Sequence, residues 1–184
     1  MAGTEKHTTL PRPDFDRPVR VLIVVSPYYS DIAEGLLTGA KAELEAAGAT
    51  WDVVEMPGAL EIPTAIGISD RASHFDGYVA LGCVIRGETT HYETVCNDSS
   101  RALQLLGLQG LCIGNGILTV ENREQAVVRA DPDGQNKGGG AAAAALHLIA
   151  LGRRWRGTSK GIGFKPAGSD TLMAGENVDG ADIA

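Results

Sequence analysis

The segment Gly82-Cys-Val-Ile-Arg-Gly-Glu-Thr-Thr-His91-Tyr92 runs from an apolar stretch into a polar one. Gly87 allows a ligand to approach the backbone closely, and the amides after it sit where a helix should begin. Free N–H groups at a helix start suit a phosphate. His91 stands beside that anion site. An imidazole changes charge near neutral pH and can move protons there. A histidine at a helix start can equally be a surface or capping residue, and position alone leaves both readings open. A second loop, Pro57-Gly-Ala-Leu-Glu61-Ile-Pro63, puts a carboxylate at another helix start. Glu61 can accept hydrogen bonds from sugar hydroxyls, or simply complement the helix dipole. Tyr28 and Tyr29 offer rings that either stack on a flat heterocycle or pack locally. Arg129 and Lys137 flank the loop Asp131-Pro-Asp-Gly-Gln-Asn-Lys-Gly138. They can meet a phosphate or a carbonyl, or remain solvated cations. Arg153, Arg154 and Arg156 around Trp155 read as a solvated helix end. His7, His74 and His147 fall in an arm, near a turn and within a helix, with no chemistry assigned to them.

These residues need elements to hold them. Val19 to Val25 is a β-branched run without alternation, as in a strand covered on both faces. Asp31 can cap a following helix, with Ile32, Leu36, Leu37, Ala40 and Leu44 on one face and Gly48 at its end. Trp51 to Glu55 forms a second strand. A helix with Pro63 in its first turn follows and runs to about Ala72. Gly77 to Val84 forms a third strand, and a helix carries Tyr92, Val95, Cys96, Ser99, Leu103 and Leu106 on one side. Gly110 to Ile117 forms a fourth strand, and helices span Asn122 to Ala130 and Gly138 to Leu151. This alternation predicts an α/β fold: a four-stranded parallel sheet between two helical layers, three-layer α/β/α and flavodoxin-like. Ligands in such sheets sit beyond the carboxyl ends of the strands, which points to loops 26–31, 56–62, 84–91 and 115–121.

The chain has 184 residues and a net charge of −7, enough for one domain of ordinary size. Residues 1–18 read as an irregular arm broken by Pro11, Pro13 and Pro18, residues 19–156 as the domain, and residues 157–184 as a disordered tail rich in Gly, Ala, Ser and Asp. The acidic balance disfavours nucleic acid and anionic membranes as partners. No apolar stretch is long enough to span a bilayer, and the first eighteen residues lack the apolar block of a secretory signal. Cys83, Cys96 and Cys112 read as reduced, buried thiols of a cytoplasmic protein, at spacings unlike a metal site.

Several loops agree on one family. From about Val19 to Arg156 the chain resembles lumazine synthases. The matching pieces are Pro57-Gly-Ala-Leu-Glu-Ile-Pro63, Gly82-Cys-Val-Ile-Arg-Gly-Glu-Thr-Thr-His-Tyr92, Ile117-Leu-Thr-Val-Glu-Asn122, the helix around Arg129, and Asn136-Lys-Gly138. The resemblance implies an enzyme of riboflavin synthesis. It condenses 5-amino-6-(ribitylamino)uracil with 3,4-dihydroxy-2-butanone 4-phosphate, giving 6,7-dimethyl-8-ribityllumazine, phosphate and water, with no metal or organic cofactor. By the same likeness Tyr28 stacks on the pyrimidine, Ala59, Leu60 and Glu61 contact it and its ribityl chain, and the backbone of Val84 and Ile85 reads the ring edge. The Glu88 and Thr89 amides hold the phosphate together with Arg129. His91 transfers protons, and Lys137 contacts the heterocycle. The family assembles as homopentamers, in some members as a sixty-subunit icosahedral shell, so that Asn115, Arg129 and Lys137 come from the adjacent subunit. The short 130–138 loop is compatible with a shell.

The sequence departs from the family pattern in three places. Tyr28-Tyr29 replaces a Phe-Asn or Trp-Asn pair, Asn115 replaces an aromatic found in some relatives, and the tail beyond Arg156 has no counterpart in the family core. Three rival readings are a flavin-holding protein without turnover, a flavodoxin or response-regulator domain, and a purely structural cage. The regulator lacks an acidic cluster at the strand ends. Ser26-Pro-Tyr-Tyr-Ser30 is not a flavodoxin phosphate loop.

Overall fold

The computed structural model describes residues 10–158, with side chains to Arg156. Residues 10–18 carry no helix or strand. They are tied down by Arg12, whose guanidinium reaches Glu43 at 2.9 Å, and by Phe15, which lies under Arg153 and packs on the core. The tail expected to be disordered lies almost wholly outside the described residues.

Four parallel strands form one sheet: β1 (Arg20–Val25), β2 (Thr50–Glu55), β3 (Gly77–Ile85) and β4 (Ile113–Val120), in the order β2-β1-β3-β4. Five helices complete the chain: α1 (Ser30–Ala46), α2 (Glu61–Ala72), α3 (His91–Leu108), α4 (Arg123–Ala130) and α5 (Lys137–Thr158). The order reverses direction at β1, the topological switch of a flavodoxin-like sheet. The strand read as covered on both faces, β1, is central in the sheet, beside β3. Val21, Ile23 and Val25 of β1, with Val79 and Leu81 of β3, face α1, α4 and α5. Leu22, Val24, Tyr78 and Ala80 face α2 and α3. Both faces are covered, which gives the three layers α/β/α. The edge strand β2 is exposed along most of its length, including Val53 and Val54.

Two close approaches fix the α1/α4/α5 layer. A Cβ on Gly138 would lie 2.0 Å from the Leu36 carbonyl oxygen of α1, and one on Gly114 would lie 1.8 Å from the Ala141 carbonyl oxygen. The run Gly138-Gly-Gly-Ala-Ala-Ala-Ala-Ala145 therefore reads as a helix built for backbone proximity. It has almost no side-chain bulk to hold it away from α1 and β4. Asn136, at φ 45°, turns the chain into α5, and its side-chain oxygen accepts from the Gly139 amide at 3.0 Å. Asn tolerates this left-handed backbone because its short polar side chain bonds locally.

Several expected boundaries shift. β4 starts at Ile113, opposite Tyr78, and not at Gly110. Gly110 has φ +98° and makes the turn after α3 instead. β4 continues past the expected Ile117 to Val120, so most of the stretch 115–121 searched as a loop is strand. α5 continues past Leu151 to Thr158. Asp31 does not cap α1: Tyr29 occupies the cap position without a side-chain bond, and the Asp31 carboxylate instead accepts from Arg123 of α4 at 2.6 Å. Of the three free thiols, only Cys112 is buried; Cys83 and Cys96 are partly exposed.

Candidate active site

The carboxyl ends of β1, β2 and β3 open onto a cleft of about 540 Å³. Each element contributes at its end. From the β1–α1 turn come Ser26, Tyr28 and Tyr29. From the β2–α2 turn come Gly58, Ala59, Leu60 and Glu61. From β3 and the start of α3 come Cys83, Val84, Ile85, Gly87, Thr89 and His91. Eight of the residues singled out in the sequence thus converge here: Tyr28, Ala59, Leu60, Glu61, Val84, Ile85, Thr89 and His91. Glu88 sits on the same loop, exposed, but is not part of the cleft wall.

Tyr28 is 73% exposed, its ring 5.0 Å from that of Tyr29 in an edge-to-face arrangement. The two tyrosines divide their work. Tyr29 packs on the core, and Tyr28 leaves a face free for a flat ligand, the geometry in which aromatic rings stack. The Glu61 carboxylate folds back over Gly58, where a Cβ would meet its oxygen at 2.7 Å. The glycine therefore makes room for the carboxylate at this cleft wall. His91 is the first residue of α3. Its amide points to the Thr89 hydroxyl at 3.4 Å, and its ring is exposed on the cleft. The first-turn amides of α3 and Gly87, with open space at its Cβ position, lie beside it. Oriented N–H groups beside an imidazole are an arrangement that can receive an anion and move a proton.

Ser26 and Cys83 line the cleft without having been singled out. Buried Ser26 closes the floor, its hydroxyl directed to the Pro57 carbonyl at 3.5 Å. Burial pushes the Cys83 thiol up to about 11. Near neutral pH it is a protonated wall residue and not a nucleophile. Neither residue type has a spacing that announces it, so the fold was needed to find them.

Asn115, Arg129 and Lys137 do not join this cleft. They line a second hollow of about 440 Å³ on the outer flank of β4, with Thr119, Gly140 and Ala141. Arg129 is half-buried and donates from Nη1 to the Gln125 carbonyl of its own helix at 3.0 Å. Asn115 is exposed, and its side-chain oxygen accepts from the Ile117 amide at 3.0 Å. Lys137 is exposed at the first position of α5. The two clefts lie on different flanks of β3–β4, and one chain does not bring them together.

A larger cavity, about 880 Å³, opens at the opposite, amino ends of the strands. Arg153 there is already bound to Asp76 at 2.8 Å and to the Arg17 and Pro18 carbonyls. It carries none of the residues with assigned chemistry, and catalysis in such sheets belongs at the carboxyl ends. Among the described residues, no group of three His, Cys, Asp or Glu side chains could hold a metal ion.

A family model for 6,7-dimethyl-8-ribityllumazine synthase matches residues 18–153. The chain is similar to the 6,7-dimethyl-8-ribityllumazine synthase of Jannaschia sp. (strain CCS1), with 55% identity over 177 residues, 96% of this chain and 99% of that protein. It is 56% identical to the protein of that name from Bartonella henselae, over 76% of this chain and 92% of the relative. With the Novosphingobium aromaticivorans protein of that name it shares 53% identity over 74% of this chain and 98% of the relative. The chain, with its parallel sheet and loop-built cleft, belongs to the 6,7-dimethyl-8-ribityllumazine synthase family.

Proposed function

We propose that this chain condenses 5-amino-6-(ribitylamino)uracil with 3,4-dihydroxy-2-butanone 4-phosphate, forming 6,7-dimethyl-8-ribityllumazine, inorganic phosphate and water in riboflavin synthesis. The convergence of a free aromatic face, a carboxylate, a histidine and an anion-binding helix start on one cleft carries this reading. Tyr28 stacks on the pyrimidine. Ala59, Leu60 and Glu61 take its ring edge and ribityl hydroxyls, and the backbone of Val84 and Ile85 reads the other edge. The Glu88 and Thr89 amides hold the phosphate, and His91 moves protons as the amine adds to the ketone, water leaves and phosphate departs. Amide and cationic donors near the leaving phosphate stabilise its developing charge. Holding two substrates in one cleft removes much of the entropic cost of their encounter.

A complete site, in this reading, needs two copies of the chain. Arg129 completes the phosphate site, Lys137 contacts the heterocycle and Asn115 forms a wall, each facing the cleft of a neighbour. The exposed edge β2 and the outward-facing hollow on β4 are consistent with subunits meeting there. A closed ring of subunits uses one such heterologous contact repeatedly, and we assign a homopentamer; the short 130–138 loop leaves both a lone pentamer and a sixty-subunit icosahedral shell open. The free thiols support a reducing compartment, the cytoplasm. No described helix is long and apolar enough to cross a membrane.

The test is product formation, followed by lumazine absorbance, from purified protein and both substrates. His91→Ala should lower kcat about a hundredfold, the lower end of the range for loss of a general acid–base group. Arg129→Ala should raise KM for the phosphate substrate. An intact oligomer that makes no product above the uncatalysed background would overturn the reading and leave flavin holding as the function to examine.

A further inference from the structure

The stretch Arg86–His91 is exposed at every residue, and a Cβ on Gly87 would meet nothing within 4 Å. A loop with so little packing of its own should not present its amides in a fixed array. Arg86 supplies what packing does not. Its backbone amide donates to the Val120 carbonyl at 2.9 Å, continuing the β3–β4 ladder. Its side chain then spans the loop. Nε donates to Glu121 at 2.7 Å, Nη1 donates to Glu93 in the first turn of α3, and the guanidinium carbon lies 4.2 Å from the Tyr92 ring centroid. Glu121 in turn is held by its neighbours, since its amide donates to Gln125 of α4 at 3.0 Å.

We propose that Arg86 is a positioning residue: a clamp that joins the end of β3, the first turn of α3 and the β4–α4 corner, and so fixes the phosphate-facing amides and the His91 backbone. The proposal rests on the site reading above and extends it to a residue with no role there. Arg86 is not itself an anion receptor. Two of its donors face carboxylates, so the trio Arg86, Glu93 and Glu121 carries a net negative charge and would repel a phosphate. Only the planar, forked guanidinium can serve two carboxylates and lie over a ring at once.

Exposed ion pairs contribute little to global stability, so Arg86→Met should fold and assemble as the parent does, which thermal melting and sedimentation check. Steady-state kinetics with both substrates then reads the clamp. Arg86→Met is expected to raise KM for the butanone phosphate about tenfold and to lower kcat, while KM for the ribitylaminouracil changes less than about twofold, because misplacement of a positioned group is felt mainly by the substrate it holds. Arg86→Lys should recover part of the loss. Glu121→Gln separates positioning from direct electrostatics. Loosening the clamp should weaken phosphate binding, whereas an anion-receiving Arg86 would bind phosphate more tightly once relieved of a carboxylate. Unchanged kinetics in Arg86→Met, equal effects on both substrates, or tighter phosphate binding in Glu121→Gln would each overturn the clamp. Absence of product from the parent protein would instead remove the site reading beneath it. If Arg86→Met fails to assemble, the Glu121→Gln result decides.

Discussion

Tyr28 holds a large, mostly exposed ring at the lip of the cleft, in an edge-to-face pair with Tyr29. A ring so placed contributes little to folding, because little apolar area leaves water when the chain folds. In the proposed reading its value lies in what it stacks upon. Tyr28→Ala should therefore change stability by no more than about 0.5 kcal/mol, as for a surface substitution. It should still raise KM for the ribitylaminouracil about tenfold, in line with the roughly 1 kcal/mol scale of aromatic pairing. Tyr28→Phe should behave as the parent. Denaturant titration beside steady-state kinetics checks both halves, and a large loss of stability would assign the ring to the core instead. At this scale much of the cleft was legible, since its residues lie in short contiguous segments, Tyr28-Tyr29, Ala59–Glu61 and Val84–His91. Ser26 and Cys83 were not. A serine or cysteine at a strand end looks like any core residue until the neighbouring strands are placed beside it.

The helices and strands were readable where periodicity is strong and less so where small residues prevail. α1 shows its apolar face at regular helical spacing, and the central strands announce burial on both faces through Val, Leu and Ile. The start of β4 was misplaced because Gly110 and Gly114 look alike in sequence. Only the positive φ of the first and the crowding at the second separate them. The same crowding makes a sharp prediction for α5. A methyl at Gly138 would overlap the backbone of α1, which cannot move aside as a flexible side chain would. Gly138→Ala should cost about 3 kcal/mol, the upper end for overpacking, even though alanine favours helix more than glycine does. Gly140→Ala, two residues on and with open space at its Cβ, should be neutral or slightly stabilising. Denaturation midpoints of the pair distinguish tertiary crowding from helix propensity, and a stabilised Gly138→Ala would show that α1 and α5 do not approach as described. The Arg86 clamp was out of reach for a similar reason. Its partners Glu93 and Glu121 are seven and thirty-five residues away, and only the folded β3–β4–α3 corner brings them together.

For the whole molecule, the proposed reading makes the site one divided between the cleft at the strand ends and the hollow on β4. No local pattern could reveal that division, because it depends on β4 being an edge strand and on which side α4 and α5 leave it. The sequence placed Asn115, Arg129 and Lys137 with the rest only through resemblance to relatives, and the fold puts them in a separate hollow. A divided site explains why the two cations, Arg129 half-buried and Lys137 exposed, are carried on firm elements, one at the end of α4 and one at the start of α5. It also makes activity a property of the assembly. Intersubunit complementation tests that claim most directly. His91→Ala and Arg129→Ala subunits, each impaired alone when the butanone phosphate is kept below the parental KM, are co-assembled in equal amounts and assayed for lumazine formation under that condition. In a ring of head-to-tail contacts, about one cleft in four then receives an intact His91 from one copy and an intact Arg129 from its neighbour. The account predicts that the mixed assembly recovers about a quarter of parental activity. Activity no higher than the mean of the two parent variants, from mixed oligomers of normal size, would contradict it and place the whole site within one chain.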